Sequence, residues 1–150
     1  MTLNVLRFAS VLLTAIAMAG GFAHLLELPN KIGLSREDYL TVQQLYRGWA
    51  LLGIAVVGAL VSTTVLAVQV RRTPTEFHLT LAAALCIALS LLVFFVLTFP
   101  ANRRTANWTV LPENWQDLRR RWEYSHAVGA GLYFLALSLL TLSLLVKREE

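Results

Sequence analysis

Two short patterns carry most of the chemistry that this sequence could perform. His24-x-x-Glu27 and Glu123-x-x-His126 each place an imidazole and a carboxylate three residues apart, which on a helix is a single face. The patterns are mirror images of one another, and small residues flank both: Gly20 and Gly21 precede His24, while Gly129 and Ala130 follow His126. Both lie at the edges of long apolar runs, where an ionisable side chain is costly and therefore a functional candidate by default. Tyr39, Gln43 and Tyr46 recur at helical spacing, Arg119 and Trp122 share a helix face with Glu123 and His126, and the segment from Asn102 to Trp108 can close over the top.

Three chemistries suit such a set. In the first, His126 or His24 is a general base for an acidic C–H or a phenolic O–H, while an arginine and an asparagine stabilise the resulting anion. Trp122 and Trp108 would stack on a flat ring, and Tyr46, Tyr39 and Arg119 would complete the substrate-binding surface. No cofactor is required. In the second, His24, Glu27, Glu123 and His126 hold a single transition metal, Fe, Cu or Zn. A ferritin-like two-metal site would need carboxylates from the other two spans, which supply none at that depth. In the third, His24 and His126 are the axial ligands of a haem. Each residue also has a plainer reading: a buried polar network for the His/Glu pairs, an interfacial belt for Trp49 and Trp115, and snorkelling for the arginines. In that case the protein is a non-enzymatic accessory or hydrophobe-binding subunit, and the polar end is an interaction surface.

The elements that must position these residues follow from hydropathy. Of the 150 residues, 57% are hydrophobic and 15% charged, and the mean hydropathy of +0.60 is too apolar for an ordinary soluble domain. Four stretches, 5–28, 49–70, 77–99 and 127–146, have the roughly 20 apolar residues that a bilayer crossing needs. The expectation is an all-α single domain over 1–150, a four-transmembrane-helix antiparallel bundle with helices at about 4–28, 36–70, 74–99 and 113–146. Pro29 should stop helix 1 and Pro100 helix 3. Ser35-Arg36-Glu37-Asp38 reads as the capped start of helix 2, which at about 1.5 Å per residue would reach about 52 Å and project some 20 Å beyond the hydrocarbon. Thr73-Pro74-Thr75-Glu76 opens helix 3 with a capping threonine, a first-turn proline and a glutamate in the third position. Helix 4 starts near Pro112 or Glu113, so helices 2 and 4 both extend past the membrane into a polar cap.

Four crossings put both termini and the Arg71-Arg72 turn on one side. Segments 29–48 and 100–125 then share the other side with Trp49, Trp108, Trp115 and Trp122. Eight Lys and Arg residues (Lys31, Arg36, Arg47, Arg103, Arg104, Arg119, Arg120, Arg121) fall on the tryptophan side, against five (Arg7, Arg71, Arg72, Lys147, Arg148) on the other, which leans towards a cytoplasmic cap. Arg7 before an apolar run with Ala17-Met18-Ala19 imitates a signal peptide, but the run continues to Leu28 and reads as a retained span. Cys86, the single cysteine, reads as packing within the third span. The net charge of +4 gives no reason to expect nucleic acid; the expected partners are the bilayer and a small hydrophobic aromatic molecule, with a homo-oligomer allowed. Small residues four apart (Ala17 with Gly21, Gly58 with Ser62, Ala84 with Ala88, Ala127 with Gly131) would let helix backbones approach closely in lipid.

The segment Phe99-Pro-Ala-Asn-Arg-Arg-Thr-Ala-Asn-Trp108, with Arg119-Arg-Arg-Trp-Glu-Tyr-Ser-His126 opening the last span, resembles the anthrone oxygenase-like family of small four-helix membrane proteins. The likeness is strongest over 99–130 and extends loosely, through the four-span layout, to the whole chain. It implies oxidation of a reduced polycyclic phenol to its quinone by O₂, without flavin or nicotinamide, in a bacterial inner (plasma) membrane. The residues it carries over are Asn102, Trp122 and His126, with Arg121 beside them; Trp108 and the His24/Glu27 pair depart from the family's pattern. Fold-level likeness does not itself fix a reaction.

Overall fold

A computed structural model describes residues 2–146, and within these the chain is all-helical, with no strand. Lys147 and Arg148, counted above for topology, lie outside the described residues. The elements are α1 (Leu3–Lys31), α2 (Arg36–Gln43), α3 (Leu52–Gln69), α4 (Pro74–Val93), α5 (Phe99–Arg104) and α6 (Trp115–Leu145). Short 3₁₀ turns at Gln44–Tyr46 and Trp49–Leu51 separate α2 from α3, and a π turn at Phe94–Thr98 joins α4 to α5. Four units, Leu3–Lys31, Trp49–Gln69, Pro74–Arg104 and Trp115–Leu145, are long and apolar enough to cross a membrane. Only 28% to 33% of each unit's apolar window is buried inside the protein. The remainder, including Phe8, Ile54, Leu85 and Phe134, is an exposed apolar surface of the kind that lipid covers.

The four long helices pack in a ring: α1 on α3 and α6, α4 on α3 and α6. Small residues set the distances. A Cβ on Gly21 would come within 3.2 Å of the Ala130 backbone, so α1 and α6 approach as closely as their atoms allow. Gly58 receives Leu13 of α1, whereas Gly131 faces open space, so the α6 contact is made by Gly129 and Ala130 rather than by the expected Ala127/Gly131 pair.

Four helix boundaries differ from expectation. α1 does not stop at Pro29 but runs through it to Lys31, with the Ile32 N–H bonded to the Leu28 carbonyl at 3.0 Å. The single 36–70 helix is interrupted. Its capped start is as expected, with Ser35 accepting from the Asp38 N–H, but Arg47 is extended and Gly48 takes φ +92°, a left-handed value that a side chain disfavours. The polar helix α2 is therefore a separate piece from span α3. Helix 3 passes through Pro100 to Arg104, because the π turn just before the proline widens the ladder where the ring would otherwise press on a carbonyl one turn back. The last span opens at Trp115, two residues later than Glu113.

Away from the His/Glu pairs, Arg7 of α1 forms an ion pair and hydrogen bonds with Glu76 of α4, both largely buried. Glu76 thus clamps two spans; the Thr73 side chain makes no capping bond. Removing one partner strands the other charge, so Arg7→Ala should cost about 3–5 kcal/mol, read as a lowered unfolding temperature in detergent. The paired change Arg7→Leu with Glu76→Leu should recover most of that loss; a single substitution as mild as the double would show that the clamp contributes nothing.

Candidate functional site

The close approach of α1 and α6 brings His24 and His126 together, with ring centroids 4.2 Å apart. Aromatic rings enclose the pair. Trp122 lies 4.1 Å from His126 and 4.8 Å from His24, Tyr46 4.5 Å and Trp49 5.3 Å from His24, centroid to centroid. Nδ1 of His126 is 2.8 Å from the Trp122 carbonyl, an acceptor only, so it carries the proton and donates. The neutral ring then presents Nε2 as a free base. His24 Nδ1 is buried without a hydrogen-bond partner.

Asn102, in α5 beyond the π turn, organises the opposite wall. Its Oδ1 accepts from the indole N–H of Trp122 at 2.8 Å and of Trp108 at 3.1 Å. Two donor-only partners fix which way the amide points, leaving the Nδ2 hydrogens to donate elsewhere. Trp108 reaches this position because Ala106, Asn107 and Trp108 all adopt left-handed backbone, with φ of 48°, 56° and 61°. Such conformations are costly for residues other than glycine, and the turn is held by bonds from the Asn107 N–H to the Asn102 carbonyl at 2.7 Å and from the Trp108 N–H to Thr105 Oγ1 at 3.1 Å. Thr98 of the π turn bonds Ser125 of α6 at 2.6 Å, tying this wall to the histidine helix.

Between these walls lies a cavity of about 730 Å³, a size suited to a small organic ligand. Its lining includes the polar residues His24, His126, Asn102 and Gln43 and apolar residues of α3 and the π turn, among them Val57 and Phe95, which are also on the exposed apolar surface.

Beside the histidines sits an ion network centred on the buried Lys31 and Glu123. Lys31 Nζ donates to the Tyr46 hydroxyl at 2.7 Å and lies 3.3 Å from carboxylate oxygens of both Glu27 and Glu123. The Tyr46 hydroxyl bonds Glu27, and the Tyr39 hydroxyl donates to Glu123 at 3.0 Å. Lys31 also faces the Tyr46 and Trp122 rings at 4.5 and 5.1 Å. Burial, reinforced by Glu123, pushes the Tyr39 hydroxyl well above the usual tyrosine range, with Gln43 and Arg119 opposing; burial and Glu27 do the same for Tyr46.

Of the residues expected at the site, His24, His126, Asn102, Trp122, Trp108 and Tyr46 all line the cavity. Tyr39 and Arg119 lie one layer out: the Arg119 guanidinium stacks on Trp115 at 4.6 Å and Tyr39 at 5.2 Å, and donates to the Leu34 carbonyl at 2.8 Å. Arg121 is exposed and does not reach the cavity, since one residue's rotation on α6 turns it away from the face holding Trp122. The carboxylates of Glu27 and Glu123 engage Lys31 and the tyrosines, and among the described residues no three His, Cys, Asp or Glu side chains are grouped to hold a metal. Trp49 stands on the cavity wall rather than solely in an interfacial belt. Lys31, absent from the expected site, is its central cation; the signal was its place four residues beyond Glu27, hidden by ending helix 1 at Pro29.

Comparison with protein families, with curated proteins and with solved structures finds no match to this chain.

Two outcomes follow from the ion network. Lys31→Met leaves the fully buried Glu123 without its cation and should cost about 3–5 kcal/mol in detergent melts, most of it recovered by adding Glu123→Gln. An unchanged melt for Lys31→Met would contradict the network. The raised tyrosines give a pH dependence of definite sign. Their stabilisation is complete below about pH 10, where both states are protonated, and is lost as pH rises further and only the unfolded chain ionises. Tyr46→Phe should flatten that alkaline fall in stability.

Proposed function

We propose that this protein is a membrane-embedded oxygenase acting on a lipophilic aromatic, anthrone- or quinone-like molecule, with a histidine base and no required cofactor. In this reading the four spans run antiparallel, both termini share one side, and the polar cavity forms a cap at one end of the bundle, in a bacterial inner membrane. The observation that carries it is the meeting of His24 and His126 in one aromatic-walled cavity with the free amide hydrogens of Asn102.

His126 Nε2 takes a proton from the acidic ring CH₂, and Asn102 Nδ2 donates to the oxygen on which the charge accumulates. Trp122 and Trp108 hold the ring plane. The electron-rich carbanion reacts with O₂, which supplies the new carbonyl oxygen and leaves as one water; the CH₂ loses four electrons and O₂ gains four. Arg121, exposed on α6, has no part in this scheme. A second reading, a single transition metal bound by His24 and His126, draws support from the unpartnered, buried His24 Nδ1.

Oxygen uptake and quinone formation by protein in detergent or nanodiscs test the assignment. His126→Ala should lower turnover about 10²–10⁴-fold, and Asn102→Ala about 10²–10³-fold, each with membrane expression retained. Full activity in both His24→Ala and His126→Ala would sink the base. A stoichiometric Fe, Cu or Zn that disappears with His24→Ala would establish the metal reading in its place.

A further inference from the structure

The cavity is not closed on every side by protein. Gly53 and Val57, one turn apart on α3, and Phe95 of the π turn all line it, and all three are also exposed, Val57 to 56% and Phe95 to 58%. The packing of the helices explains this. α3 rests on α1, on α4 and on the 3₁₀ turn that opens it, whereas the π turn rests on α4, α5 and α6; among the described residues the π turn and α5 have no more than marginal contact with α3. The first turns of α3 and the π turn are therefore separated by the cavity instead of being locked together by side chains, and both carry apolar surface of the kind that lipid covers.

Gly53 stands at this gap for neither of the usual reasons. Its backbone is not left-handed, since Gly48 is the one glycine with a positive φ among the described residues. Nor does a neighbour need its missing side chain, because a Cβ built there would meet no described atom within 4 Å. A glycine inside a helix is less stable than an alanine, and what it leaves here is open width. We infer that the gap is a lateral opening to the bilayer, and that the cavity takes an amphiphile whose flat head lies among His24, His126 and Asn102 while a hydrocarbon tail leaves past Gly53 and Phe95 into lipid. An enclosed cavity of about 730 Å³ would limit the length of its ligand, whereas one open to lipid does not. The aromatic head rests on the proposed reading; the tail and its exit rest on the gap alone.

Quenching of tryptophan fluorescence in nanodiscs reads the binding of two probes, 2-methylanthraquinone and 2-decylanthraquinone, each at the same mole fraction of the lipid. Wild-type protein should bind the two within about twofold of each other, because the decyl chain lies in hydrocarbon whether the ring is bound or free. Gly53→Leu should weaken the decyl probe about tenfold and the methyl probe far less, without lowering the unfolding temperature. Gly131→Leu is the control: Gly131 is also exposed, with open space at its Cβ, but does not line the cavity, so both probes should bind as they do to wild type. Val57→Phe narrows the same gap, carries the same expectation and serves if the Gly53 variant does not fold. Rejection of the decyl probe by wild-type protein, or equal effects of the gap variants on the two probes, overturns the inference. Binding of both probes without oxygen uptake from an anthrone leaves the opening assigned and removes the oxygenase reading; oxygen uptake by protein that rejects the decyl probe does the reverse.

Discussion

A lysine ammonium taken out of water must be surrounded by groups that replace its hydration, and Lys31, 3% exposed, is surrounded almost completely. Glu27 comes from its own helix, Glu123 from α6, and the Tyr46 hydroxyl from the turn after α2. The cation therefore joins three pieces of chain at that point. Because His24 is one turn before Glu27 and His126 one turn after Glu123, fixing the carboxylates fixes the imidazoles. The Gly21–Ala130 approach sets how near they come.

Three departures from regular helix border the same cavity. Gly48 with its positive φ, the π turn at Phe94–Thr98 and the left-handed run from Ala106 to Trp108 each contribute to its lining. Irregular backbone at membrane depth is tolerated where it faces a protein interior or a cavity rather than lipid. Each irregularity also has a definite result: Gly48 lets Tyr46 and Trp49 turn towards His24, the π turn admits Pro100 and carries Asn102 onwards in α5, and the left-handed turn folds Trp108 back to Asn102.

Hydropathy made the four spans legible, because a bilayer crossing demands an apolar run of known length and little else. The His/Glu pairs were legible for a related reason: ionisable residues stand out against that background, and their three-residue spacing survives any error in helix ends. Boundaries were less legible. Proline removes a hydrogen bond and so reads as a stop at Pro29 and Pro100, but a π turn accommodates one and the last turn of α1 tolerates the other. A helix ended at Pro29 leaves Lys31 off the face that carries Glu27. Gly48 within an otherwise periodic stretch gave only a weak hint of a break. Spacing did sort the arginines: Arg119 shares a face with Trp122, Glu123 and His126 and is buried, whereas Arg121, carried over by the family resemblance, falls off that face and is exposed.

The account rests on α1 and α6 lying in contact at the depth of the histidines. A Cβ built on Gly21 falls 3.4 Å from the Ala130 Cβ, close to the roughly 3.5–4.5 Å that a disulfide spans. With Cys86 replaced by serine, Gly21→Cys and Ala130→Cys should therefore crosslink within one chain under mild oxidation in native membranes, giving a reducible shift in gel mobility. If both thiols instead stay free and reactive towards maleimide, the two helices are not neighbours there and the histidines do not share a site.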